Sequence, residues 1–124
     1  MKKVFLFFIS LFVSLSSLFA QYNTSEDKQM REVYGYYQNL VSSYKFHFKS
    51  SAEWNSAASD LETLENYFNK WKTYYLRMAN STSSMETNSQ YANLANDYYQ
   101  KASNCAQWKS VSISEAREFR NKGL

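Results

Sequence analysis

Trp54, Ala57, Leu61, Leu64, Phe68, Trp71, Tyr75 and Met78 recur at intervals of 3-4-3-4-3-4-3. That spacing places all of them on one side of an α-helix, and its mean of about 3.5 residues suits helices that pack lengthwise. Met30, Val33, Tyr37, Leu40, Tyr44 and His47 repeat the pattern upstream. Downstream it returns more loosely at Tyr91, Ala95, Tyr98, Ala102 and Cys105, widened by Ala92, Leu94, Tyr99 and Ala106. The chain has no Pro and two Gly among its 124 residues, so the turn signals of a β protein are missing.

Helix starts are marked independently. A Ser or Thr followed three residues later by an acid satisfies two orphan amides of a first helical turn. The pattern stands at Thr24/Asp27, Ser50/Glu53, Ser83/Glu86 and Ser112/Glu115, with Val111 and Ala116 spaced as a staple around the last. It also occurs at Ser59/Glu62 inside the second stripe, so only its agreement with the stripes is informative. Together the two signals predict helices at 25–48, 51–79 and 84–111 and a short one at 113–122.

Links this short make neighbouring helices antiparallel. The expected fold is all-α: an antiparallel up-down-up three-helix bundle, coiled-coil-like, with a short fourth C-terminal helix. Ile113, Ala116 and Phe119 would fold that last helix over one end, and Gly123 would cap it. The large residues Trp54, Phe68, Trp71 and Tyr75 call for small partners, which Ala92, Ala95, Ala102 and Ala106 supply.

Ahead of the bundle, Met1-Lys2-Lys3 is followed by a charge-free, mostly apolar run from Val4 to Phe19 and then Ala20. This is the layout of a secretory signal peptide over 1–20, too short to span a bilayer as a helix. A single domain over 21–124 is expected in the periplasm or outside the cell, with no membrane span after cleavage. Retention of the leader as an anchor is the alternative, because Leu18 is larger than the cleavage pattern prefers.

Composition bounds the chemistry. Beyond Ala20, 18 residues are aromatic, which excludes a disordered chain. The net charge of +3 falls to +1 once Lys2 and Lys3 are removed, which argues against a nucleic-acid partner. One Cys makes no internal disulfide. One His and one Cys cannot close a zinc site, and no C-x-x-C-H haem attachment sequence is present, so no cofactor is expected.

Three groupings remain. In an up-down-up bundle His47 and Cys105 fall near the same end, the minimum for an activated thiolate, although neither a third orienting residue nor an oxyanion site accompanies them. Burial of Cys105 as a small hydrophobe beside a core His47 is the simpler outcome. Glu62 and Glu65 stand close on the second helix, as on a solvated face.

The doublets Tyr36-Tyr37, Tyr74-Tyr75 and Tyr98-Tyr99 fall one to each long helix. Adjacent residues point about 100° apart, so one of each pair leaves the core. Tyr36 and Tyr99 are the binding positions expected, as a belt on adjacent helices facing an envelope protein or a glycan. The function expected is therefore a non-enzymatic binding module of the bacterial envelope. The alternatives are a thiol-dependent protein using Cys105 with His47, and a small-ligand carrier with a pocket between helices.

Overall fold

A computed structural model describes residues 24–124. The leader and its cleavage position lie outside the described residues. Among those described, three helices and no strands form: α1 (Ser25–Ser42), α2 (Ser51–Ser81) and α3 (Met85–Asn121).

Each start carries a cap. Thr24 Oγ1 accepts from the Asp27 amide at 3.0 Å, and Ser50 Oγ accepts from the Glu53 amide at 3.2 Å. At α3 the cap is Ser84, one residue beyond the expected Ser83, and its hydroxyl accepts from the Thr87 amide.

The end of α1 differs from expectation. Helix was expected to residue 48, but Tyr44 adopts φ +58° and reverses the chain. The Tyr44 amide donates to Val41 O at 3.3 Å and the Lys45 amide to Leu40 O at 2.8 Å, the paired bonds of a left-handed helix terminus. Phe46 and Phe48 then fold back onto Trp54, with ring centroids 5.2 and 4.8 Å from it. The burial gained there competes with continued helix. His47, expected inside, is exposed on this link.

The C-terminal segment differs from expectation as well. No separate helix forms at 113–122; α3 is one helix of 37 residues. Ser112 caps nothing. It is fully buried on the inward stripe that continues from Cys105 through Ala116, and its hydroxyl donates to Trp108 O at 2.9 Å. Val111 and Ile113 are exposed, so neither closes over the bundle end. Gly123 does terminate the helix: at φ +76° its amide donates to Arg120 O and that of Leu124 to Phe119 O.

Helices α2 and α3, about 46 and 55 Å long at 1.5 Å per residue, pack heavily on each other. Their pairing is antiparallel. Asn88 donates to Ala79 O beside the link, Glu65 meets Lys109 at 2.7 Å midway, and Trp54 meets Phe119 at the far end. The second stripe reads through almost unchanged, with Trp54, Ala57, Leu61, Leu64, Phe68 and Tyr75 all buried. Opposite it Ala95 and Ala102 are buried, whereas Ala106 is half-buried and Ala92 faces outward.

Helix α1 comes less close and docks through long side chains. Tyr34 meets Phe68 at 5.8 Å and Trp108 at 5.3 Å, and the Tyr37 hydroxyl donates to Asp60 at 2.7 Å. Its inward stripe is Asp27, Tyr34 and Tyr37, with Met30, Arg31 and Leu40 half-buried. Val33 and Tyr44, expected in that stripe, are exposed. At its head Asp27 is turned inward, where its carboxylate meets the Tyr67 and Tyr98 hydroxyls.

Candidate functional site

Among the described residues, a buried polar network ties α1 to α2 and α3. The wholly buried Asp27 carboxylate accepts from the Tyr67 hydroxyl at 2.8 Å, the Tyr98 hydroxyl at 2.6 Å and Arg31 Nε at 2.6 Å. Arg31 continues to Asp97 at 2.7 Å, Asp97 to Lys101 at 2.8 Å, and the guanidinium lies 5.0 Å from the Tyr98 ring centre. Burial raises the Tyr98 hydroxyl well above the ordinary phenol range, and donation to the Asp27 carboxylate raises it further. At Asp97 burial pushes upward, but the hydrogen bonds from Lys101 and Arg31 outweigh it and hold the carboxyl below its usual value.

A buried charge is tolerated only when it is paired and hydrogen-bonded on all sides, as Asp27 is. With the carboxylate sealed from solvent, the arrangement ties α1 to α2 and α3. Its sequence signal, an acid in the first helical turn with an arginine four residues on, is also that of an ordinary surface pair.

The thiol is equally closed. Cys105 is fully buried, and desolvation, reinforced by the nearby Glu65 carboxylate, pushes it up to about 12. At neutral pH it is a protonated thiol, the opposite of an activated nucleophile. With His47 exposed on the link, the expected layer shared by a core His47 and Cys105 is not formed. Glu62 is exposed and Glu65 is paired with Lys109, which pulls the two carboxylates into separate environments. Among the described residues no group of three His, Cys, Asp or Glu is placed to hold a metal ion. No described helix is long and apolar enough to cross a membrane.

Each tyrosine doublet splits as the helical angle requires. Tyr37, Tyr75 and Tyr98 are buried, whereas Tyr36 is 55% exposed, Tyr99 51% and Tyr74 39%. Tyr36 rests edge-on against Tyr37 at 5.1 Å, and the Lys72 amine lies 5.8 Å from the centre of the Tyr99 ring. Asp97 faces α1, and Tyr99 stands about 200° further round α3, so Tyr99 looks away from α1. Tyr36 and Tyr99 therefore front different flanks instead of one belt.

Each of the two borders a distinct surface. Tyr36 lies one turn beyond Val33, which lines an open groove of about 360 Å³ between α1 and α2 with Met30, Glu32, Asp60, Thr63 and Leu64. Tyr99 lies in the middle of the solvent side of α3, where every exposed residue from Thr87 to Ser114 is uncharged. The exposure of the two tyrosines follows from helical angle, but both surfaces depend on which way the neighbouring charges turn.

No family model, curated protein or solved structure matches this chain.

Proposed function

We propose that the chain is an exported, non-enzymatic helical module of the bacterial envelope whose work is to bind another envelope protein. Residues 21–124 form its single domain, released into the periplasm or beyond when 1–20 are removed. The three helices are taken as an up-down-up bundle, supported by Asp27 reaching Tyr67 and Tyr98 at once and by Tyr37 reaching Asp60.

The observation that carries the proposal is the uncharged solvent side of α3. A helix face that meets only water normally carries charge. Over Thr87 to Ser114, about 42 Å, the charged residues are Asp97, Lys101 and Lys109, and all three are turned into ion pairs with neighbours. What faces outward is Ala92, Asn96, Tyr99, Gln107, Ser110 and Ile113, among similar residues. Such a surface loses little when water is stripped from it, and Tyr99, with the Lys72 amine of α2 against its ring, supplies an aromatic anchor at its centre. Tyr36 is the second contact position, on the other flank.

The test uses the mature protein as bait on its native envelope. Asn96→Glu or Ser110→Glu should abolish retention of the partner, and Tyr99→Ala should weaken it, all with unchanged melting curves. Retention of the same partner by both charge-insertion variants would overturn the assignment.

A further inference from the structure

We propose that the groove between α1 and α2 is a docking site for a cationic amphipathic peptide segment, one that places an apolar side chain on the floor and a lysine or arginine against the wall. This rests on the protein being a binding module but not on the solvent side of α3. The floor of the groove is Met30, Val33 and Leu64, and its walls carry Glu32 from α1 and Asp60 from α2.

The groove exists because Tyr34 and Tyr37 hold α1 away from α2. The bond from the Tyr37 hydroxyl to Asp60 Oδ2 occupies one carboxylate oxygen and leaves Oδ1 for another donor. At about 360 Å³ the space sits at the small end of ligand sites, which suits one or two side chains better than a cofactor.

Charge decides the occupant. Among the described residues Asp27, Asp97 and Glu65 each have a cation within ion-pair distance, whereas the exposed Glu32 and Asp60, which line the groove, have none. The cations nearest in sequence are not paired with these carboxylates. Arg31 points to Asp27 and Asp97, and Lys28 stands one turn before Glu32 on the exposed side of α1 without an ion pair to it. Lys70 lies two turns past Thr63, its amine 5.1 Å from the centre of the Trp71 ring. Two carboxylates over an apolar floor complement a segment that joins positive charge to an apolar anchor, the helix-in-groove mode of recognition.

The probe is a short fluorescein-labelled synthetic peptide with Lys and Leu at helical spacing, compared with its Glu-for-Lys counterpart by fluorescence anisotropy on the full mature protein. The chain is net positive, so general attraction does not favour the cationic probe. The cationic peptide should bind and the acidic one should not. Amide shifts on binding should be confined to residues 29–33 and 60–64.

The double variant Glu32→Gln/Asp60→Asn, which keeps an acceptor for Tyr37, should bind about tenfold more weakly. A control with Glu86→Gln and Glu118→Gln should bind as wild type, as should Asn96→Glu. Equal binding of both peptides, no binding of either, or indifference to the double variant would overturn the groove assignment. If the peptide fails while Asn96→Glu still loses the envelope partner, only the groove is wrong. If neither surface responds, the binding-module reading fails with it.

Discussion

The Tyr98 hydroxyl donates to the Asp27 carboxylate across 2.6 Å, joining the first turn of α1 to the middle of α3 over a separation of 71 residues. The Tyr67 hydroxyl of α2 donates to the same oxygen, Oδ1, so one buried atom ties all three helices. Removing a partner from such a group leaves the rest buried and unsatisfied, which costs more than the bond itself contributes.

Asp27→Ala should therefore destabilise the domain by about 3–5 kcal/mol, a large share of what a domain this size possesses. Tyr98→Phe, which removes one donor to a charged acceptor, should cost about 1.5–3 kcal/mol. Urea denaturation measures both. Hydrogen exchange should show the loss first in α1, whose backbone keeps the greatest distance from its neighbours. A midpoint for Asp27→Ala within error of wild type would show that the knot does not hold α1.

Stability should have limits at both ends of the pH range. The buried Cys105, Tyr37 and Tyr98 groups hold their protons more tightly in the folded chain than in the unfolded one. Their contribution is complete below the ordinary thiol and phenol values of 9.0 and 10.0 and is lost as pH rises beyond them. Asp97 is shifted the other way, so its contribution is present above the ordinary value of 3.8 and drains as pH falls below it. Melting temperature against pH should show a plateau between about 5 and 9 with a decline on either side. Tyr98→Phe should lower the plateau but make the alkaline decline shallower.

Tyr44 occupies a left-handed position that favours glycine, and its side chain is almost fully exposed. That conformation costs a non-glycine residue about 1–2 kcal/mol, partly offset by the freedom glycine has when unfolded. Tyr44→Gly should raise stability by about 0.5–1 kcal/mol, read as a higher urea midpoint at constant slope.

Two serines that look alike in sequence should behave differently. Ser50 caps α2 through the Glu53 amide, so Ser50→Ala should cost about 1 kcal/mol. The Ser112 hydroxyl only bonds back to Trp108 O within its own helix, so Ser112→Ala should stay within about 0.5 kcal/mol of wild type. Parallel thermal melts separate them.

These residues also mark what the sequence made legible. The stripe from Trp54 to Tyr75 is readable because its members are large, apolar and evenly spaced, and Gly123 because few residues other than glycine end a helix that way. Ser112 is not readable as part of a helix interior, since a serine on the inward stripe carries the same local signal as a cap. Asp27 looks like the acid of a first turn until the Tyr67 and Tyr98 hydroxyls close on it from other helices. Tyr44 carries no glycine to announce the reversal. The exposed members of the tyrosine doublets follow from helical angle alone, but their separation onto two flanks depends on the turn of Asp97 toward α1. The uncharged side of α3 was equally hidden, because Asp97, Lys101 and Lys109 count as surface charge until each is seen paired inward.

The most direct measurement is photo-crosslinking in the native envelope, with p-benzoylphenylalanine placed in turn at Asn96 on α3 and at Asn66 on the outer side of α2, both exposed. The expected result is a discrete crosslinked product from position 96 and none from position 66. Equal products from both positions, or none from position 96, would contradict the assignment of α3 as the binding face.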